Sequence, residues 1–293
     1  MGIRRMGSRA NKNQKRDVLE IIMEMNYQKR IIAYMDILGF SDKVLSTIDK
    51  DTGEEIVQKT NKINSLFENV KELKRKYKRT DNDVSSKRVS HFSDTVVISY
   101  LLEEEAGILH ILINILSFCV SVLQNGYLIR GAITCGNLHH FENELYGPAM
   151  LTAYDMEKKI AFYPRIVFEK KIIDIAEKYP AKWLGKAEQL NSIKRLIQKD
   201  FDGLYYLDYF NSIDYFFGPY GLLTYLKAFK YRIIELQNKI NNDNSIKSKY
   251  FWLKEKYNIA LKRLRRKYLK EKINIEHPEL YNFLINEVDI NER

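Results

Sequence analysis

Apolar positions change rhythm several times along the chain. From Ile31 to Leu38 almost every residue is apolar, which predicts a central strand covered on both faces, and Gly39 breaks it. Ile56, Ile63, Leu66, Val70, Leu73 and Tyr77 then fall at helical spacing after a polar loop at 49–53. Two segments rich in β-branched and aromatic residues, 87–92 and 95–101, flank Ser93–Asp94 and predict a hairpin. The apolar run over about 104–124 ends at Asn125–Gly126, a good helix stop. Within it His110, Asn114, Ser117 and Ser121 line one face, and the run is shorter than the roughly 20 residues of a membrane span. A deeply buried helix with no transmembrane segment is expected. Tyr127–Cys135 reads as a strand stopped by Gly136, with a hairpin tip around 137–143. A helix from Gly147–Pro148 to about Ile160 follows, then short strands at 164–168 and 204–207.

The order β-α-β-β-α-β predicts an α+β protein with a ferredoxin-like, or palm, core over 30–210. Residues 1–29 read as a basic N-terminal arm and short helix. Over 211–293 two stripes, Leu222 to Ile240 and Tyr250 to Tyr268, advance in steps of three and four and predict a C-terminal helical hairpin.

The chemistry concentrates at two aspartates. Asp36 ends the buried strand, a costly place for a carboxylate unless something compensates its charge. Gly39 follows, and a helix starting near Ser41 offers free amides for a phosphate beside that carboxylate. Asp94 lies in the hairpin turn, where an aspartate is also ordinary turn chemistry. If the hairpin pairs beside the first strand, both carboxylates reach one end of the sheet, a donor set suited to Mg²⁺ or Mn²⁺. The net charge of +10 favours polyanionic partners in general. Cys119 and Cys135 have no Cys or His at metal-ligand spacing, and the first sixteen residues carry no signal-peptide core; a cytoplasmic protein is expected.

Four segments resemble class III nucleotidyl cyclases. Asp36-Ile37-Leu38-Gly39-Phe40 looks like their D-I-x-G-F segment, and Phe92-Ser93-Asp94-Thr95 like their G-D hairpin with serine for glycine. Residues 129–136 resemble their R-x-G-I-x-x-G strand, and 146–157 their W-G-x-x-V-N-x-A-S-R-M-E helix start. The resemblance implies attack of a ribose 3′-hydroxyl on the α-phosphate, yielding a 3′,5′-cyclic nucleotide and pyrophosphate. It implies two metal ions on Asp36, Asp94 and the Ile37 carbonyl, a triphosphate facing Gly39, Phe40 and Ser41, and a head-to-tail homodimer. The positions that choose the base fall on Ser90 and Glu144. The transition-state asparagine falls on Leu151 and the arginine on Asp155, neither a donor that fits an oxyanion; Arg130, Arg165, Lys158 or Lys159 are the cations available instead. Divergent members resemble antiphage pyrimidine cyclases, which would place a cyclic-nucleotide effector downstream.

Two other functions fit the same residues: a palm-type nucleotidyltransferase making oligonucleotides, and a catalytically silent nucleotide-binding module. Nucleic-acid binding by the basic run 262–267 is the weaker reading, because its leucine continues an apolar stripe and the charges form a solvated face. His139 and His140 read as exposed tip residues pointing apart, and His91 as a residue that packs on the hairpin.

Overall fold

A computed structural model describes residues 26–75, 85–211, 213–215, 217–240, 243–269, 276–287 and 289–290. The short helix expected over 17–25 lies outside them. The protein is α+β, with a mixed eight-stranded sheet and C-terminal helices. Its strands are β1 (Gln28–Leu38), β2 (Arg88–Phe92), β3 (Thr95–Leu101), β4 (Leu128–Phe141), β5 (Glu144–Tyr146), β6 (Ile166–Phe168), β7 (Ile197–Lys199) and β8 (Tyr205–Leu207). The sheet order is β2-β3-β1-β4-β6-β8-β7, with β5 hairpinned onto β4. Among the described residues only the β4–β6 pairing is parallel.

Alternation along β1 splits the core in two. Ile31, Ala33, Met35 and Ile37 join the large cluster beneath α2 (Val57–Lys74) and α3 (Gly107–Gln124). Ile32 and Tyr34 point to the opposite face and pack with Val97, Leu138, Ala149 and Ala153 under α4 (Pro148–Lys159). Burial on both faces is why β1 lacks an apolar–polar alternation. By length and composition α3 is apolar enough to cross a membrane, yet 67% of it lies buried inside the protein. His110, Asn114 and Ser121 are half-buried and Ser117 exposed, on the one polar face expected.

Small residues bring backbones close at two places. A Cβ at Gly131 would fall 2.4 Å from the Tyr34 carbonyl oxygen and 3.0 Å from the Met35 Cα. Gly131→Ala is therefore expected to force β4 off β1 and to cost about 2 kcal/mol in a urea unfolding curve. Gly136 lies beneath Ala149, where a Cβ would meet the alanine methyl at 3.4 Å. This glycine does not stop the strand as the sequence suggests: β4 runs on to Phe141, and the hairpin tip narrows to Glu142–Asn143. His139 and His140 are consequently buried strand residues, a correction to the exposed-tip expectation.

The remaining helices are α1 (Phe40–Leu45), α5 (Lys171–Ala176), α6 (Lys186–Leu196), α7 (Pro219–Asn238), α8 (Asn244–Tyr268) and α9 (Pro278–Asn286). The α7–α8 hairpin shares the large apolar cluster with the sheet and α3. It is also tied by charge: Asp200, beside β7, accepts from Trp252 Nε1 at 2.7 Å and Lys256 Nζ at 2.9 Å, and pairs with buried Arg165.

Candidate active site

Antiparallel pairing sets the site. Asp36 faces Thr95 of β3 on one side and Arg130 of β4 on the other, so all three side chains lie on the α4 face of the sheet. The Ile37 amide donates to the Asp94 carbonyl at 3.0 Å, holding the Ser93–Asp94 turn against the end of β1. Ser93 takes φ 54°, the left-handed value that lets two residues reverse the chain. Asp36 and Asp94 thus reach the same end of the sheet. Asp94 is half-buried, and the Asp36 side chain is 15% exposed.

Cations and a third carboxylate surround Asp36. Arg130 Nε donates to Asp36 Oδ2 at 3.2 Å and lies 2.6 Å from Glu157 Oε1. The Glu157 side chain is 0% exposed, and neither of its oxygens accepts a hydrogen bond among the described residues. Burial above all, and then the Asp36 charge, push the Glu157 carboxyl above its ordinary range, against the opposing pull of Arg130. Glu157 was missed as a site residue, although a signal exists: it extends the Ala149–Ala153 stripe by four, so a carboxylate occupies the buried side of α4. Lys158 lies 3.7 Å from the other Glu157 oxygen.

Lys249 of α8 also approaches. Its ammonium lies 5.6 Å over the Phe162 ring and makes no ion pair with a described residue. Burial first, and Arg130 second, lower its pKa, while Asp36 pulls the other way. No local pattern marks Lys249; the fold brings it there from the C-terminal hairpin.

Gly39 (φ 70°) turns the chain from β1 into α1 and provides no side-chain cap. The first-turn amides there, those of Phe40 and Ser41 included, have no intrahelical acceptors and suit an anion. Phe40 itself is buried edge-on against Phe67, and Ser41 is exposed. Ser90 and Glu144 are each engaged: Ser90 Oγ is 2.9 Å from His140 Nε2, and Glu144 Oε2 is 3.0 Å from His139 Nε2. His140 continues through Nδ1 to Ser99 Oγ at 2.8 Å, which accepts from Arg30 Nε at 2.9 Å.

Leu151 (69% exposed) and Asp155 lie on the outer face of α4, with Asp155 paired to Lys159. Arg165 is fully buried between Asp200 and Asp202 and supplies no charge to the site. His91 is exposed, with Lys74 Nζ 2.9 Å from Nδ1 and the Phe67 ring alongside. In the basic run, Arg263 and Lys267 hold Asp214, and Lys262 and Arg265 hold Asp289.

Asp36 and Asp94 are carboxylates of the kind hard divalent ions take, and Glu157 behind them is ion-paired with Arg130 and Lys158. Among the described residues no group of three or more His, Cys, Asp or Glu side chains is arranged around a metal position. Neither a protein-family model nor a curated protein matches the chain.

Proposed function

We propose that this chain is a metal-dependent nucleotidyl cyclase, converting a nucleoside triphosphate to a 3′,5′-cyclic nucleotide and pyrophosphate. One observation carries the reading: the Ile37–Asp94 hydrogen bond of 3.0 Å locks the Asp94 turn beside Asp36 at the end of β1. The β2-β3-β1-β4 order, with β1–β3 and β1–β4 both antiparallel, supports a palm-type core for it. The resemblance in the four motifs supports the reaction.

Two Mg²⁺ or Mn²⁺ ions, held by Asp36, Asp94 and the Ile37 carbonyl, would activate the 3′-hydroxyl and clamp the triphosphate. The chain's own groups divide the remaining work. First-turn amides of α1 after Gly39 bind phosphate oxygens. Arg130 keeps Asp36 and Glu157 from repelling one another and holds the Asp36 carboxylate on the α4 face of the sheet. Lys249 and Lys158 provide positive charge in place of the donors absent at Leu151 and Asp155. Ser90 and Glu144, oriented by His140 and His139, meet the base.

A homodimer fits the exposed apolar groups bordering this face. Phe92 is 84% exposed beside the Asp94 turn, and Leu151 and Tyr154 project from α4. A cytoplasmic alarm signal to a cyclic-nucleotide effector is the role this chemistry would serve.

Pyrophosphate release from ATP, GTP, CTP and UTP, each with Mn²⁺ or Mg²⁺, tests the proposal. Release from at least one is expected; none from any of the four would overturn it. A second reading, a nucleotide-binding module without turnover, is favoured by one feature, the Arg130 guanidinium on Asp36. It predicts nucleotide binding with no pyrophosphate.

A further inference from the structure

A cavity of about 470 Å³ opens on the helical side of the sheet, between α1, α2, the α3–β4 turn and α7. Its volume suits a small ligand. Lys43, Lys59 and Lys62 line it together with Ser46, Gln124 and Asn125. Glu235 is the carboxylate among its lining residues, and cations already surround that group. Arg232 pairs with it one turn away on α7, Lys43 lies 3.5 Å from it and Lys239 lies 3.6 Å from it. Lys59 and Lys62 make no ion pair with a described residue. Three lysines therefore face one glutamate in the lining, and that glutamate is already paired.

Two further features describe the ligand. The Tyr127 and Tyr231 rings stand in the lining, with the Lys43 ammonium 5.1 Å over Tyr127. Buried Arg232 keeps an Nε without a hydrogen bond among the described residues. Burial first, and then Arg232, hold the Lys43 ammonium below its ordinary pKa, as expected where cations crowd together short of an anion.

We infer that this groove binds a phosphate-bearing ligand, separately from the Asp36 site: three lysines and two amide side chains take the phosphates, and the tyrosines wall the remainder. The inference is independent of the cyclase reading. The groove has a physical route to the site nonetheless. Lys43 lies on α1, whose start at Gly39 is 3.9 Å from an Arg232 guanidinium nitrogen, measured from the position of a Cβ at that glycine.

Titration calorimetry of the full chain tests it, in EDTA so that no divalent ion can recruit a triphosphate to the aspartate site. The probes are sodium tripolyphosphate and ATP. Wild type is expected to bind, and Lys59→Glu/Lys62→Glu about tenfold or more weakly, since these exposed lysines set the field without supporting the fold. Tighter binding of ATP than of tripolyphosphate identifies a nucleotide ligand; equal binding identifies inorganic polyphosphate. Absence of binding by wild type, or full affinity in the double variant, would each overturn the inference.

Discussion

Asp36→Asn and Asp94→Asn are each expected to lower turnover by on the order of a thousandfold or more while the fold persists. Either change deletes half of the paired carboxylates that would hold the ions, and an amide is a poor ligand for Mg²⁺. The fold persists for reasons visible in the contacts. Arg130 retains Glu157 at 2.6 Å when Asp36 loses its charge, so no buried cation is stranded. Glu157 is also relieved of a repulsive neighbour. At Asp94 the bond to Ile37 comes from the main chain, which the substitution leaves in place. Unchanged or raised unfolding midpoints beside lost pyrophosphate release are the expected pair of results. Full activity in both variants would remove the mechanism.

The second large effect concerns stability in acid. His140 is buried between Ser90 and Ser99, and its pKa is pushed down from 6.5 to about 3 by burial first, then by Arg30, Arg88 and His139. Below about pH 6.5 the unfolded chain takes a proton on this residue and the folded chain does not, until about pH 3. The unfolded state then binds more protons, so stability is complete above pH 6.5 and falls as the pH drops. The expected slope is about 1.4 kcal/mol per pH unit, reaching about 5 kcal/mol in total. His91, lowered by burial and Lys74, and Glu157, raised by burial, act in the same interval of about pH 6.5 to about pH 4.5, so the difference in urea midpoints between wild type and a His140 variant isolates this histidine. His140→Gln should flatten that interval; an equal slope in the variant would place the acid sensitivity elsewhere.

Much of the architecture was legible because periodicity and burial coincide. The apolar run at Ile31–Leu38 did become a strand covered on both faces, and the residues around Ser93–Asp94 did form the turn beside it. The polar line through α3 faced outward. Gly136 misled because a glycine can stop a strand or can admit a helix; here it admits Ala149. That one ambiguity hid the extension of β4 and the burial of both histidines. The polar partners were less legible than the aspartates. Glu157 carried a spacing signal along α4, whereas Lys249 and Arg232 come from helices about a hundred or more residues further along the chain, and no local pattern announces such meetings. The tie of Ser90 to His140 likewise depends on how the end of β4 lies over β2 and β3.

The most direct test is mass identification of the nucleotide formed when the purified chain meets each triphosphate with Mn²⁺. A single 3′,5′-cyclic mononucleotide from the preferred base, with equimolar pyrophosphate, is expected. A linear or cyclic oligonucleotide, or intact triphosphate in every reaction, would contradict the cyclase proposal.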